Sequence, residues 1–95
     1  MTTFAVEYRY DDRTETRDEV RPAHRAFLAE LHDTGVLVAS GPYTDDRAPG
    51  ALLLVRADDA AGAVTVLDAD PFWEAGLVAA RSVRSWDPVF RSWPE

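Results

Sequence analysis

The order of apolar patterns along this 95-residue chain predicts an α+β fold with the sequence β-α-β-β-α-β. Three observations predict it. Residues 3–10, TFAVEYRY, alternate with period two. Residues 18–34 carry apolar side chains at helical spacing. Two short continuous apolar runs, 36–40 and 51–57, follow each other across a turn-rich connection.

In the first strand Phe4, Val6, Tyr8 and Tyr10 share one face, and Ala5, Glu7 and Arg9 the other. The first helix is expected from Asp18, as N-cap with Glu19 behind it, to residue 34, with Gly35 as its stop. Pro22 fits if it lies in the first turn, where backbone donors have no intrahelical partner. Val20, His24, Phe27, Leu28 and Leu31 form its inner stripe. The runs 36–40 and 51–57 read as strands covered on both faces, with Gly41-Pro42 ending the first. Asp58 or Asp59 caps a second helix over 59–68, with Ala61, Val64 and Leu67 inward. Asp70-Pro71 opens one more turn of helix, because Asp at the N-cap and Pro at the first position is a helix start. A last strand covers 79–87, and the proline-bearing tail 88–94 reads as extended edge structure.

This is the split β-α-β, or ferredoxin-like, order in a single domain, 1–95. Two helices cover one face of a four-stranded antiparallel sheet. The other face also receives apolar residues from 36–39 and 51–55. A second copy paired about a two-fold axis covers it most simply, so a homodimer is the expected partner.

Composition narrows the function. Without cysteine there is no disulfide, thiolate zinc site or cysteine nucleophile. His24 and His32 alone do not close a structural zinc site, and Asp58, Asp59, Asp68 and Asp70 lack calcium-loop spacing. A net charge of −7 without a basic stripe argues against nucleic acid and anionic membrane partners. No apolar run of membrane-spanning length and no signal-peptide start are present, so a cytoplasmic location is expected. A small-molecule ligand remains, with no cofactor or metal called for.

His24 lies on the buried stripe. It is either a core histidine satisfied by a backbone carbonyl or a general acid/base at a cleft, since imidazole titrates near neutrality. Asp70 is an N-cap by local reading and, if the fold brings it close, a carboxylate that orients a histidine. Ser40-Gly41-Pro42 ends a strand and is a candidate to hold a substrate oxygen; no nucleophile elbow surrounds Ser40. Tyr8, Phe27, Phe72, Trp73 and Trp86 are core or interface aromatics, and Tyr8, Phe27 and Phe72 are the candidate pocket residues among them. Arg81 and Arg84 are either solvated or anion-binding.

Four motifs recur in a familiar order: R-P-x-H-x-x-F-L at Arg21–Leu28, S-G-P at Ser40–Pro42, G-A-L at Gly50–Leu52, and D-P-F-x-x-A-G at Asp70–Gly76. With P-V-F at Pro88–Phe90 they make the chain, over about residues 3–91, resemble the YciI-like (YCII-related) family. The resemblance implies a dimeric ferredoxin-like fold and an active site on a His-Asp pair, matching His24 and Asp70, with Gly41-Pro42 bordering the pocket. It also implies acid/base chemistry of the lyase or isomerase type, best grounded as HCl elimination from a chlorinated hydroxyquinol. The segment between Pro42 and Gly50 is shorter than the family pattern, which separates this chain from any loop contacts made there. Three alternatives stay open: a non-catalytic dimer that binds or senses a small molecule, a cofactor-free monooxygenase of a related dimeric fold, and a purely structural or interaction protein.

Overall fold

A computed structural model of the chain describes residues 1–93. It contains β1 (Thr2–Tyr10), α1 (Thr14–Asp33), β2 (Leu37–Pro42), β3 (Gly50–Ala57), α2 (Ala60–Leu67), α3 (Pro71–Glu74) and β4 (Val78–Trp86). The strands form one sheet in the order β2-β3-β1-β4, and every neighbouring pair is antiparallel. This is a ferredoxin-like α+β fold, with both longer helices against the same face.

The alternation in β1 sets that face. Phe4, Val6 and Tyr8 are buried opposite Val55, Leu53 and Ala51 of β3. Leu28 of α1 and Ala63 and Leu67 of α2 complete the cluster. Burying each large apolar side chain contributes about 1.5–3 kcal/mol, so this one layer carries most of the driving force. Gly50, which pairs with Arg9 and so faces away from that layer, is a glycine for a steric reason. A Cβ built there would lie 2.4 Å from the Tyr8 carbonyl oxygen, so only glycine lets β3 pair this closely with β1.

α1 begins at Thr14, four residues before the expected start at Asp18. Its entry is held by Asp11 and Arg13 rather than by an N-cap side chain: the Arg13 backbone N–H donates to Asp11 Oδ1 at 3.0 Å. Asp18 sits inside the helix and pairs with Arg21. Pro22 therefore lies in the helix interior, on the solvent side, where it leaves one carbonyl without its intrahelical donor. Burial of Arg17, His24 and Leu28 along the opposite stripe holds the helix together across it. At the other end Gly35, at φ +81°, closes a Schellman turn: its N–H donates to His32 and that of Val36 donates to Leu31.

Three further expectations are corrected. β2 runs on through Pro42 but is an edge strand, so Leu37 alone is buried in it and Ser40 is exposed. In α2, Asp59 caps the helix by accepting from Gly62 N at 2.7 Å; the inward residues are Ala63 and Leu67, and Ala61 faces solvent. β4 stops at Trp86. Pro88 has no N–H to continue a ladder, and 88–93 bends instead of extending, with Phe90 exposed. Pro94, the end of the expected tail, lies outside the described residues.

The sheet face away from the helices carries Leu54, which is buried, and Leu52 and Trp86, 36% and 40% exposed. Tyr43 folds towards it, its hydroxyl donating to Glu7 Oε2 at 2.6 Å. Among the described residues no helix is long and apolar enough to cross a membrane.

Candidate functional site

The site is built around Asp70. The D-P-F-x-x-A-G segment folds as a self-contained helical turn. Asp70 is its N-cap, Pro71 its first residue and Gly76, at φ +71°, its left-handed exit. Leu77 N–H returns to the Phe72 carbonyl at 3.0 Å, and Leu77 is fully buried. Arg13 ties this turn to the start of α1 by donating from Nη2 to the Gly76 carbonyl at 2.6 Å. The turn therefore presents Asp70 and Phe72 to the middle of α1.

His24 is met there. Its Nδ1 lies 2.8 Å from Asp70 Oδ1, and its ring stacks on Phe72 at 3.9 Å and 7°. Asp70 Oδ1 also accepts from the Phe72 N–H at 3.0 Å, and Oδ2 accepts from the Tyr8 hydroxyl at 2.9 Å. Asp70 is 0% exposed and His24 8%. A carboxylate that only accepts needs a donor at each contact, so this geometry suits the neutral His24 tautomer with hydrogen on Nδ1 and the lone pair on Nε2. Nε2 has no hydrogen-bond partner among the described residues.

Two phenols back the carboxylate. Burial first, and the Asp70 charge second, push the Tyr8 hydroxyl far above the usual range. The same two causes push Tyr10 up to about 12, against the lowering effect of the buried Arg17 guanidinium, which stands 5.1 Å over its ring. Tyr10 in turn meets the edge of Phe72 at 5.4 Å. A consequence appears in base. In the unfolded chain both phenols ionise near pH 10. The native state holds their protons more tightly, so stability is intact below about pH 10 and falls as the pH rises above it. For Tyr10 the loss continues to about pH 12. Urea midpoints measured from pH 9 to 11.5 should fall across this window; a constant midpoint would contradict the buried phenols.

A cavity of about 590 Å³ opens between α1 and β2. Ser40, Gly41 and Pro42 line one side, His24 the other, and Phe72 and Leu53 also line it. So the structure brings together His24, Phe72 and the Ser40–Pro42 segment, with Asp70 directly behind the histidine. Two expected pocket residues stand elsewhere. Tyr8 is fully buried beneath Asp70 because its strand position points it into the core, and Phe27 packs against the core cluster. Arg81 is also away from the cavity: it bonds Asp68 at 2.8 Å and lies 3.5 Å over the Trp73 ring. Arg84 is exposed on β4.

Arg21, Arg25 and His32 also line the cavity, beyond the residues expected there from the sequence. With Ala29 they fall at i, i+4, i+8 and i+11 on α1, a helical spacing that was there to be read. Among the described residues no three His, Asp or Glu side chains gather to hold a metal ion.

Comparison with known proteins places the chain. The YCII-related domain matches residues 1–87. Protein YciI of Escherichia coli O6:H1 is 37% identical over 87 residues, covering 83% of this chain and 89% of that protein, and protein YciI of Shigella flexneri gives the same figures. Among solved structures, the 5-chloro-2-hydroxyhydroquinone dehydrochlorinase TftG of Burkholderia phenoliruptrix AC1100, in complex with 2,5-dihydroxybenzoquinone, is similar. Its TM-score is 0.76 at 27% identity, over 90% of this chain and 93% of that one. With that fold, and with a family match spanning nearly its whole length, the chain belongs to the YCII-related domain family.

Proposed function

We propose that this protein is a cofactor-independent acid/base enzyme that eliminates HCl from, or isomerises, a small aromatic substrate. His24 Nε2 moves the proton and Asp70 holds the ring. The observation that carries this reading is the 2.8 Å contact between His24 Nδ1 and Asp70 Oδ1 beside an open cavity. A neutral imidazole fixed in that tautomer is ready to accept a proton at Nε2, and the buried carboxylate stabilises the imidazolium that forms. Ser40 and the Gly41 backbone hold a substrate oxygen in this reading, which their position in the cavity lining supports. Similarity to a dehydrochlorinase supports elimination as the reaction type.

On a chlorinated hydroxyquinol the steps balance without an oxidant. Nε2 takes a proton from a ring hydroxyl and returns it to the ring carbon that bears chlorine, giving a ketone tautomer. Loss of a second hydroxyl proton then expels chloride. The hydroxyquinone product is poorer by one HCl. The deciding experiment follows chloride release from 5-chloro-2-hydroxyhydroquinone in the presence of the purified protein. Release above the uncatalysed rate is expected. Tight binding with no release would favour a binding or sensing role instead.

The working unit in this reading is a homodimer. Leu52 and Trp86, exposed on the sheet face that the helices leave bare, support a second copy as its cover. Light scattering at micromolar concentration should give twice the chain mass, and a monomer mass would contradict it.

A further inference from the structure

Seventeen of the 95 residues are acidic, yet among the described residues no Asp or Glu lines the cavity. Tyr10 lines it, and its other titratable groups are all basic: Arg21, His24, Arg25 and His32. All four come from α1, where the row from Arg21 to His32 spans roughly 16 Å at about 1.5 Å per residue. Ala29, small, leaves the row open in its middle. In a chain of net charge −7 this is a local reversal of sign. The two arginines differ. Arg21 is already paired with Asp18, so much of its charge is answered. Arg25 is exposed and makes no ion pair or hydrogen bond among the described residues. Facing this row, the lining turns apolar at Leu37, Leu53 and Phe72. The volume, about 590 Å³, is that of a small-molecule site.

We propose that the cavity selects a small organic anion, with its apolar body on the Phe72–Leu53 side and its charge at Arg25. Arg25 is then the specificity-determining residue. A guanidinium matches a carboxylate or an ionised ring oxygen with two parallel donors, which a neutral ligand of the same shape does not answer. Steering by the basic row also raises the encounter rate of an anion that the rest of the surface repels.

This inference uses the cavity of the proposed enzyme but concerns binding alone. The test is an NMR titration with benzoate and benzamide, which share ring and size and differ in charge. Wild-type protein at low salt should bind benzoate at least about tenfold more tightly than benzamide. Arg25→Gln, an exposed change, should remove most of that preference while leaving benzamide affinity unaltered. Equal affinities for the two probes, no measurable benzoate binding, or an equal loss for both in Arg25→Gln would overturn the proposal. Chloride release, measured separately on the wild-type protein, keeps the two readings apart: a protein that prefers benzoate but releases no chloride loses the catalytic reading and keeps the charge selection.

Discussion

Replacing Asp70 by Ala is expected to lower the unfolding free energy by about 4 kcal/mol, from roughly 1–2 kcal/mol for each of three buried donors left without an acceptor. Those donors are the Tyr8 hydroxyl, the Phe72 N–H and His24 Nδ1. The carboxylate they share is completely buried. A small domain has about 5–15 kcal/mol to lose, so the variant should melt far below the parent. Urea denaturation checks the size. The mechanism has its own check: Tyr8→Phe in the Asp70→Ala background removes one stranded donor and should recover about 1 kcal/mol. A loss under about 1 kcal/mol for Asp70→Ala would mean that the three contacts do not hold this turn to α1 and β1.

The second large effect is on turnover. His24→Gln keeps a side chain of similar length with a hydrogen-bond donor for Asp70, but it has no group that titrates near neutrality. Removing a positioned general acid/base typically costs 10²- to 10⁴-fold. Chloride release should therefore fall by about that factor through kcat, with KM little changed, because Phe72 and the Ser40–Pro42 wall still hold the ring. Asp70→Asn should show a smaller loss of the same kind with a milder cost to stability, since the amide still accepts some of the same hydrogen bonds. A His24→Gln enzyme within about threefold of wild type would remove the histidine from the chemistry.

Much of the scaffold was legible because local rules and tertiary burial agree there. The alternation Phe4-Val6-Tyr8 becomes the central core strand, Gly35 ends α1, and Asp70-Pro71 starts α3 as its residues require. The structure departs from the local pattern where a distant partner decides the outcome. α1 starts at Thr14 because Asp11 and Arg13 organise its entry and Gly76 holds Arg13 from 63 residues away. Pro22 is tolerated mid-helix because three buried residues hold the opposite stripe. β2 read as doubly covered because Val36–Ala39 are all apolar, but its edge position is set by which strand pairs with which, and composition does not carry that. At the site, the stripe marked His24 as inward-facing and the cap marked Asp70. Their meeting across 46 residues depends on α3 docking against α1. Tyr8 was expected at a ligand and instead supplies a buried donor to the carboxylate, a role that depends on register against β3 and β4.

The central claim is that Asp70 fixes His24 in one tautomer with Nε2 free to accept a proton at the cavity. Long-range ¹H–¹⁵N correlation of the His24 ring near neutral pH tests it most directly. The account predicts a protonated Nδ1 and an unprotonated Nε2, with the pattern lost in Asp70→Asn. A proton on Nε2, or the averaged pattern of a freely exchanging imidazole, would contradict it.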